Sequence, residues 1–247
     1  MGSVIRGLIV LAGFIILWQL VVTLFNLPDY ILPTPFDVLH TWYTHFSLIL
    51  AETKISVIET LLGLLLGVIF GCITALSMAF FRPFSYWLFP VLLISQAIPT
   101  FAIAPLLVIW FGFGMASKIV TAMIMIFFPV TSAFYDGLRR TEPGWHELAT
   151  TMNATKWRFF WYIRIPAALP NLASGLRVAT AIAPIGAVVG EWVGASKGLG
   201  FLMLNANARM QIDLMFAGLF TLVIFSLFLY FIIDKYLKRA IPWQAVT

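Results

Sequence analysis

Few side chains in this sequence are able to do chemistry, and their spacing excludes most reactions. His40, His45 and His146 are scattered and lack the separations of a metal site. Cys72 is the lone cysteine and lies in an apolar run, which excludes an internal disulfide and a thiolate-held metal cluster. No G-x-x-x-x-G-K-[ST] run occurs, so the chain has no P-loop with which to hydrolyse ATP. No nucleophile and base stand at helical spacing, so no catalytic residues are expected. Glu59 and Glu191 are the carboxylates in or beside apolar runs. Acids of that kind would serve an ion-coupled secondary transporter, which is the rival reading.

The other charges concentrate in residues 136–170, DGLRRTEPGWHELATTMNATKWRFFWYIRIPAALP. Pro143 and Gly144 make a turn, and residues 147–155 read as a short helix. A second, amphipathic helix follows, with Trp157, Phe160, Trp161 and Ile163 apolar and Lys156, Arg158 and Arg164 polar. Pro166 and Pro170 are expected to end it. Two short helices in a basic loop suit docking onto a protein partner or gripping anionic lipid. The residues alone leave both readings open.

The elements that carry this loop are apolar. Of 247 residues, 62% are hydrophobic and 10% charged, whereas a soluble domain carries roughly 25% charged residues. The apolar runs are long enough for helices rather than barrel strands. The fold class is therefore an all-α integral membrane protein, a single domain over residues 1–247. About six transmembrane helices are expected, near 7–25, 57–80, 86–111, 119–135, 172–193 and 214–233, with both termini and the 136–170 loop in the cytoplasm. Ten basic residues fall in the inside segments, including Arg6, Arg82, Arg139, Arg140 and Lys238. Four fall in the outside segments, namely Lys54, Lys118, Lys197 and Arg209. That asymmetry sets the orientation. The net charge of +5 needs no nucleic-acid partner once basic loops face a cytoplasm.

Three spans carry informative residues. Gly63, Gly67 and Gly71 line one helix face and permit close helix packing. In the third span Pro90, Pro99 and Pro105 each remove a backbone donor. Gln96 and Thr100 flank Pro99, so this segment is either a structural kink or a discontinuous wall beside a pathway. The fifth span has the most polar composition, with Arg177, Thr180, Pro184, Gly186, Gly190 and Glu191. That is where a translocation pathway is expected. Arg177 lies near enough to the inner end to snorkel, and residues 194–212 read as an outside loop.

Glu147, Ala149, Ile163, Ile165 and Pro166 fall at the spacing of the EAA loop, so the sequence resembles the permease subunits of binding-protein-dependent ABC importers. Leu148 departs from the motif's second alanine, and Asn153 stands where the motif has glycine. Asn is the non-glycine residue best suited to a positive φ, so the bend survives. LPTPFDVLH, QAIPTFAIAPLLVIWFGFG, IPAALPNLASGLRVA and GEWVGASKGLG extend the similarity to the subgroup that serves taurine, sulfonates, nitrate and thiamine precursors. The resemblance implies a type I importer permease in the inner membrane that binds no cofactor itself. Its partners would be two copies of an ATPase that holds the ATP, a second permease expected to be an identical chain, and an extracytoplasmic substrate-binding protein. Residues 147–153 would be the coupling helix, with Glu147 against a basic group of the ATPase and Pro166 fixing the loop to the fifth span. The solute would be small and polar, with a hydroxymethylpyrimidine-type thiamine precursor the nearest match.

Overall fold

The computed structural model describes residues 2–243, and every regular element among them is helical. The chain termini, expected in the cytoplasm, lie outside the described residues, as does the side chain of Arg82. In order the helices are α1 (Gly2–Leu24), α2 (Pro35–Thr44), α3 (Phe46–Phe80), α4 (Arg82–Ala97), α5 (Thr100–Phe111) and α6 (Met115–Arg139). Then follow α7 (Pro143–Thr151), α8 (Lys156–Phe159), a π turn (Phe160–Arg164), α9 (Ile165–Gly194), α10 (Leu199–Ala208) and α11 (Ile212–Ala240). Among the described residues, five stretches are long and apolar enough to cross a membrane: Ile5–Leu24, Phe46–Phe80, Met115–Arg139, Lys156–Gly194 and Ile212–Ala240. A sixth exists if α4 and α5, bent by 100° at their junction, count as one span.

Proline chemistry explains that bend. The residue before a proline is pushed out of the helical region. Ile98, which precedes Pro99, has φ −87° and ψ 116°, and α4 stops there. Pro90 and Pro105 sit inside α4 and α5 without ending them. Pro166 and Pro170 also fail to end a helix, contrary to the expectation from sequence. Lys156–Gly194 runs on as one stretch, with Pro166 in the first turn of α9 and Pro170 inside it. The π turn ends at Arg164, two residues before Pro166, whose missing N–H has to be absorbed by the local hydrogen-bond register.

The helices form two compact units. One comprises the chain up to Ser56 with Ser196–Ile224. In it Thr34 caps α2 by accepting from the Asp37 amide. Thr41 donates to Asp213 at 2.7 Å, and the Trp42 indole donates to Thr221 at 2.9 Å. The outside stretch expected to be a loop contains α10. Gly198, at φ 113°, precedes α10 and brings no capping side chain. Instead α3 supplies acceptors one turn apart: Glu52 takes the Gly198 amide at 2.5 Å and Ser56 the Leu199 amide at 2.8 Å. These satisfy N-terminal donors that have no partner within the helix.

The other unit comprises Val57–Ala195 and the chain from Phe225. Its centre is α6. Gly63, Gly67 and Gly71 of α3 face Ala122, Ile126 and Val130 of α6, and a Cβ at each glycine would lie 2.5, 2.8 and 2.9 Å from them. The pairs advance together by four residues, the register of ridges packed along i±4 rows. On another side, α9 runs antiparallel in register with α6: Gly175 faces Ala133, Gly186 faces Ala122 and Gly190 faces Lys118, while Gly137 of α6 faces Asn171. Ala122, Ile126, Val130, Ala179 and Ala183 form the dry core between these helices. Arg177 does not snorkel. It pairs with Asp234 of α11 at 2.7 Å, and Lys238 reaches the same carboxylate at 2.7 Å.

Candidate functional site

The polar stretch of residues 136–170 becomes a helical hairpin end. α6 finishes at Arg139, and Pro143 opens α7 in the first turn, where its missing N–H costs nothing. Glu147, expected at a helix start, is therefore one turn inside α7, and no helix-dipole benefit attaches to it. The end of α7 follows the Schellman pattern: the Asn153 amide bonds Thr150 O at 3.0 Å and the Ala154 amide bonds Ala149 O at 2.9 Å. That closure requires the left-handed region at Asn153, which has φ 54°. Thr155 then caps α8 by accepting from the Arg158 amide at 3.3 Å. Three consecutive residues thus turn the chain from one helix into the next.

Of α7's side chains, only Ala149 is buried. Glu147 is exposed. Trp145, Leu148 and Met152, at i, i+3 and i+7, are 48%, 48% and 73% exposed and form an apolar stripe on a charged loop. Such a stripe is the anchor pattern of a helix laid into a partner's groove. The loop beneath it is held firmly. His146 packs edge-on to Phe159 at 5.1 Å, Phe80 of α3 meets the rings of Trp157 and Phe160 at 5.6 Å each, and Arg164 Nε donates to Leu138 O at 2.5 Å. A cavity of about 1000 Å³ lies against the loop, lined by Ala149, Asn153, Lys156, Phe160 and Arg164 among others. Ile163, Ile165 and Pro166 are half-buried at the entry to α9.

The residues singled out as a pathway divide into two groups. Gln96 and Pro99 are exposed at the α4–α5 break, with Thr100 half-buried. Pro184, Gly186, Gly190 and Glu191 are all buried, and the two glycines lie against the backbone of α6. In this conformation their small size serves helix packing.

Sequence reasoning missed Lys118. Assigned to an outside turn, it sits in the first turn of α6 and is 1% exposed. Its ammonium donates to Phe113 O at 2.6 Å, Gly114 O at 3.0 Å and Gly194 O at 2.7 Å. Glu59 and Glu191, 2% and 1% exposed, lie beside each other within Coulombic reach of it, and Glu59 Oε2 has no hydrogen-bond partner. The signal was present in the spacing: Glu59 lies four residues before Gly63, and Lys118 four before Ala122, so both continue the packed ladder. The two acids are thus engaged by a fixed cation, unlike an open ion-coupling site.

Residues 63–241 match the family described as binding-protein-dependent transport system inner membrane component. The chain belongs to this family. It is a permease subunit of an ABC importer, a multi-pass membrane protein that works with a separate ATPase and a substrate-binding protein and is not itself an enzyme. The permease is 55% identical to a probable ABC transporter permease protein of Haemophilus influenzae, over 96% of this chain and 97% of that one. It is 33% identical to the formylaminopyrimidine transport permease ThiX of Halalkalibacterium halodurans, over 93% and 92% of the two chains. It is 34% identical to the riboflavin transport permease RibX of Chloroflexus aurantiacus, over 94% and 87%. Among solved structures, the permease fold matches that of the MetNI methionine ABC transporter in an inward-facing form. The TM-score is 0.66 at 19% identity, covering 80% of this chain and 98% of that one.

Proposed function

We propose that this permease passes a small polar pyrimidine of the thiamine-precursor class across the inner membrane, and that α7 is the helix through which its ATPase drives it. The observation that carries the second part is the apolar stripe of Trp145, Leu148 and Met152, exposed on a loop whose other face is packed down and whose end is closed by Asn153 in the left-handed region. The stripe is flanked on α7 by exposed Glu142 and Glu147, while the loop's exposed Arg139, Arg140, Lys156 and Arg158 lie outside α7, so the helix itself presents an apolar and acidic face that suits a groove on a protein partner. In this reading Glu147, Leu148 and Ala149 form the coupling helix, Asn153 its bend, and Ile163, Ile165 and Pro166 its joint with α9. Two ATPases would meet two identical permease chains, with the loop and both termini in the cytoplasm. Gln96, Pro99 and Thr100 would border the pathway at the α4–α5 break. Pro184, Gly186, Gly190 and Glu191 would set the packing of its α9 wall.

The solute reading rests on similarity to ThiX. Copurification of the permease with the ATPase and binding protein encoded beside it, followed by mass spectrometry of the bound solute, tests it. A formylaminopyrimidine or hydroxymethylpyrimidine supports the reading. A flavin, sulfonate or amino acid overturns it. Reporter fusions after Arg140 and Lys238 are expected to report cytoplasm, and fusions near His45 and Lys197 the exterior.

A further inference from the structure

The ATPase-docking loop is the closed end of a hairpin made by α6 and α9. The hairpin is zipped along its length. Gly137 meets Asn171, Gly175 meets Ala133, Gly186 meets Ala122 and Gly190 meets Lys118, each so close that a Cβ would lie 2.6 to 2.9 Å from its neighbour. Packed helices at that separation slide little and move as one body. A rigid lever driven at one end does useful work only if its far end is fixed to what it must move. Lys118 stands at that far end. Its three hydrogen bonds join α6 to the α5–α6 turn through Phe113 O and Gly114 O, and to the last residue of α9 through Gly194 O. Glu191 comes from α9 and Glu59 from α3, so the cluster also reaches the helix packed on the other side of α6.

The chemistry of the cluster suits a permanent joint. Glu59 and Glu191 are buried side by side near the Lys118 ammonium, whose charge opposes theirs. Opposed charges and hydrogen bonds are what let ionisable groups survive away from water. Lysine carbonyl contacts at the end of α9 also meet the negative end of its dipole. The charged and titratable groups facing Lys118 are Glu59 and Glu191; the Ser117 hydroxyl shares the Gly114 carbonyl with Lys118, and those of Thr121 and Thr180 bond to carbonyls of their own helices.

We propose that Lys118, Glu59 and Glu191 are positioning residues for transport, a clamp that fixes the outer end of the α6–α9 lever to α3 and the α5–α6 turn so that motion at the loop reaches the outer side. The proposal rests on reading the loop as the ATPase-docking element.

The test uses the full transporter with its ATPase, in a Cys72→Ser background, with ATP plus vanadate as the trapping probe. A bimane fluorophore is placed at Met115→Cys, at the outer start of α6, or at Thr151→Cys, at the end of α7. In the parent both emissions shift on trapping. In Lys118→Met/Glu59→Gln/Glu191→Gln, which is uncharged and close in volume, the loop shift persists. The outer shift is lost. An outer shift equal to the parent's overturns the clamp while leaving the loop reading intact. A silent loop probe in the parent overturns the loop reading and the lever with it. Hydrogen exchange in the unaltered transporter is the second measurement. Amides of residues 116–121 and 188–194 are expected to keep their protection in both the nucleotide-free and the trapped state, and deprotection of either set in one state overturns the clamp.

Discussion

The two ends of the α6–α9 hairpin solve opposite problems. At the loop end, apolar side chains are exposed and charges stand in solvent: Trp145, Leu148 and Met152 lie open beside Glu147. At the other end, charges are buried: Lys118 donates to three carbonyls, with Glu59 and Glu191 within Coulombic reach. An exposed apolar stripe is a surface incomplete without a partner. The buried Lys118 ammonium has its three acceptors within the chain, though Glu59 Oε2 beside it has no hydrogen-bond partner. On the proposed reading the difference is one of roles: one end receives the ATPase, the other holds.

The largest effect is expected from breaking the holding end. Lys118→Met leaves Glu59 and Glu191 buried without their cation and removes a donor from the carbonyls of Phe113, Gly114 and Gly194, and breaking a buried charge set by removing one partner costs about 3–5 kcal/mol. Thermal unfolding of the detergent-solubilised permease should drop sharply. An unchanged midpoint would show that the cluster holds nothing. Next comes the zipper between the ends. Gly67→Leu drives a side chain into Ile126, where even a Cβ would lie 2.8 Å away, and overpacking of this kind costs about 1–3 kcal/mol. Gly190→Cys meets the Lys118 backbone in the same way, so it should destabilise and resist a water-soluble thiol reagent. Rapid labelling would show that α9 borders water there, as its polar composition first suggests.

At the receiving end the expected effects on folding are smaller and those on assembly larger. Asn153→Val places a β-branched residue at φ 54°, at a cost of roughly 1–2 kcal/mol, and should weaken ATPase copurification by misdirecting α7. Asn153→Gly should be neutral, since glycine enters that region freely. Trp145→Ala and Met152→Ala should leave melting unchanged and reduce ATPase pull-down at matched expression. Full binding in both would move the docking surface off this stripe. The smallest stability effect is expected for Glu147→Ala, because Glu147 is exposed and lies beyond the first turn of α7. Any loss of transport in that variant would then report the interface with the ATPase directly.

Several features were legible in the sequence because their causes are local. Composition alone demands a helical membrane protein, since a chain this apolar must satisfy its backbone within each segment. The Asn153 bend follows from the preferences of one residue type, and the Gly63, Gly67 and Gly71 face from a four-residue repeat. Pro99 breaks its span through the strain it places on Ile98. Other features were decided by partners distant in the chain. Pro166 and Pro170 read as terminators, yet the π turn and the packing of Ala168 against the α6 end carry the helix through them. Arg177 was assigned to the interface because Asp234, 57 residues away, is invisible to local pattern. Lys118 read as a loop charge for the same reason: burial of an ammonium is unfavourable until three carbonyls from two separate segments converge on it. Periodicity determines which face of a helix is packed; only the tertiary structure decides which polar groups meet there, because a buried charge is tolerated or excluded by partners that a sequence window does not contain.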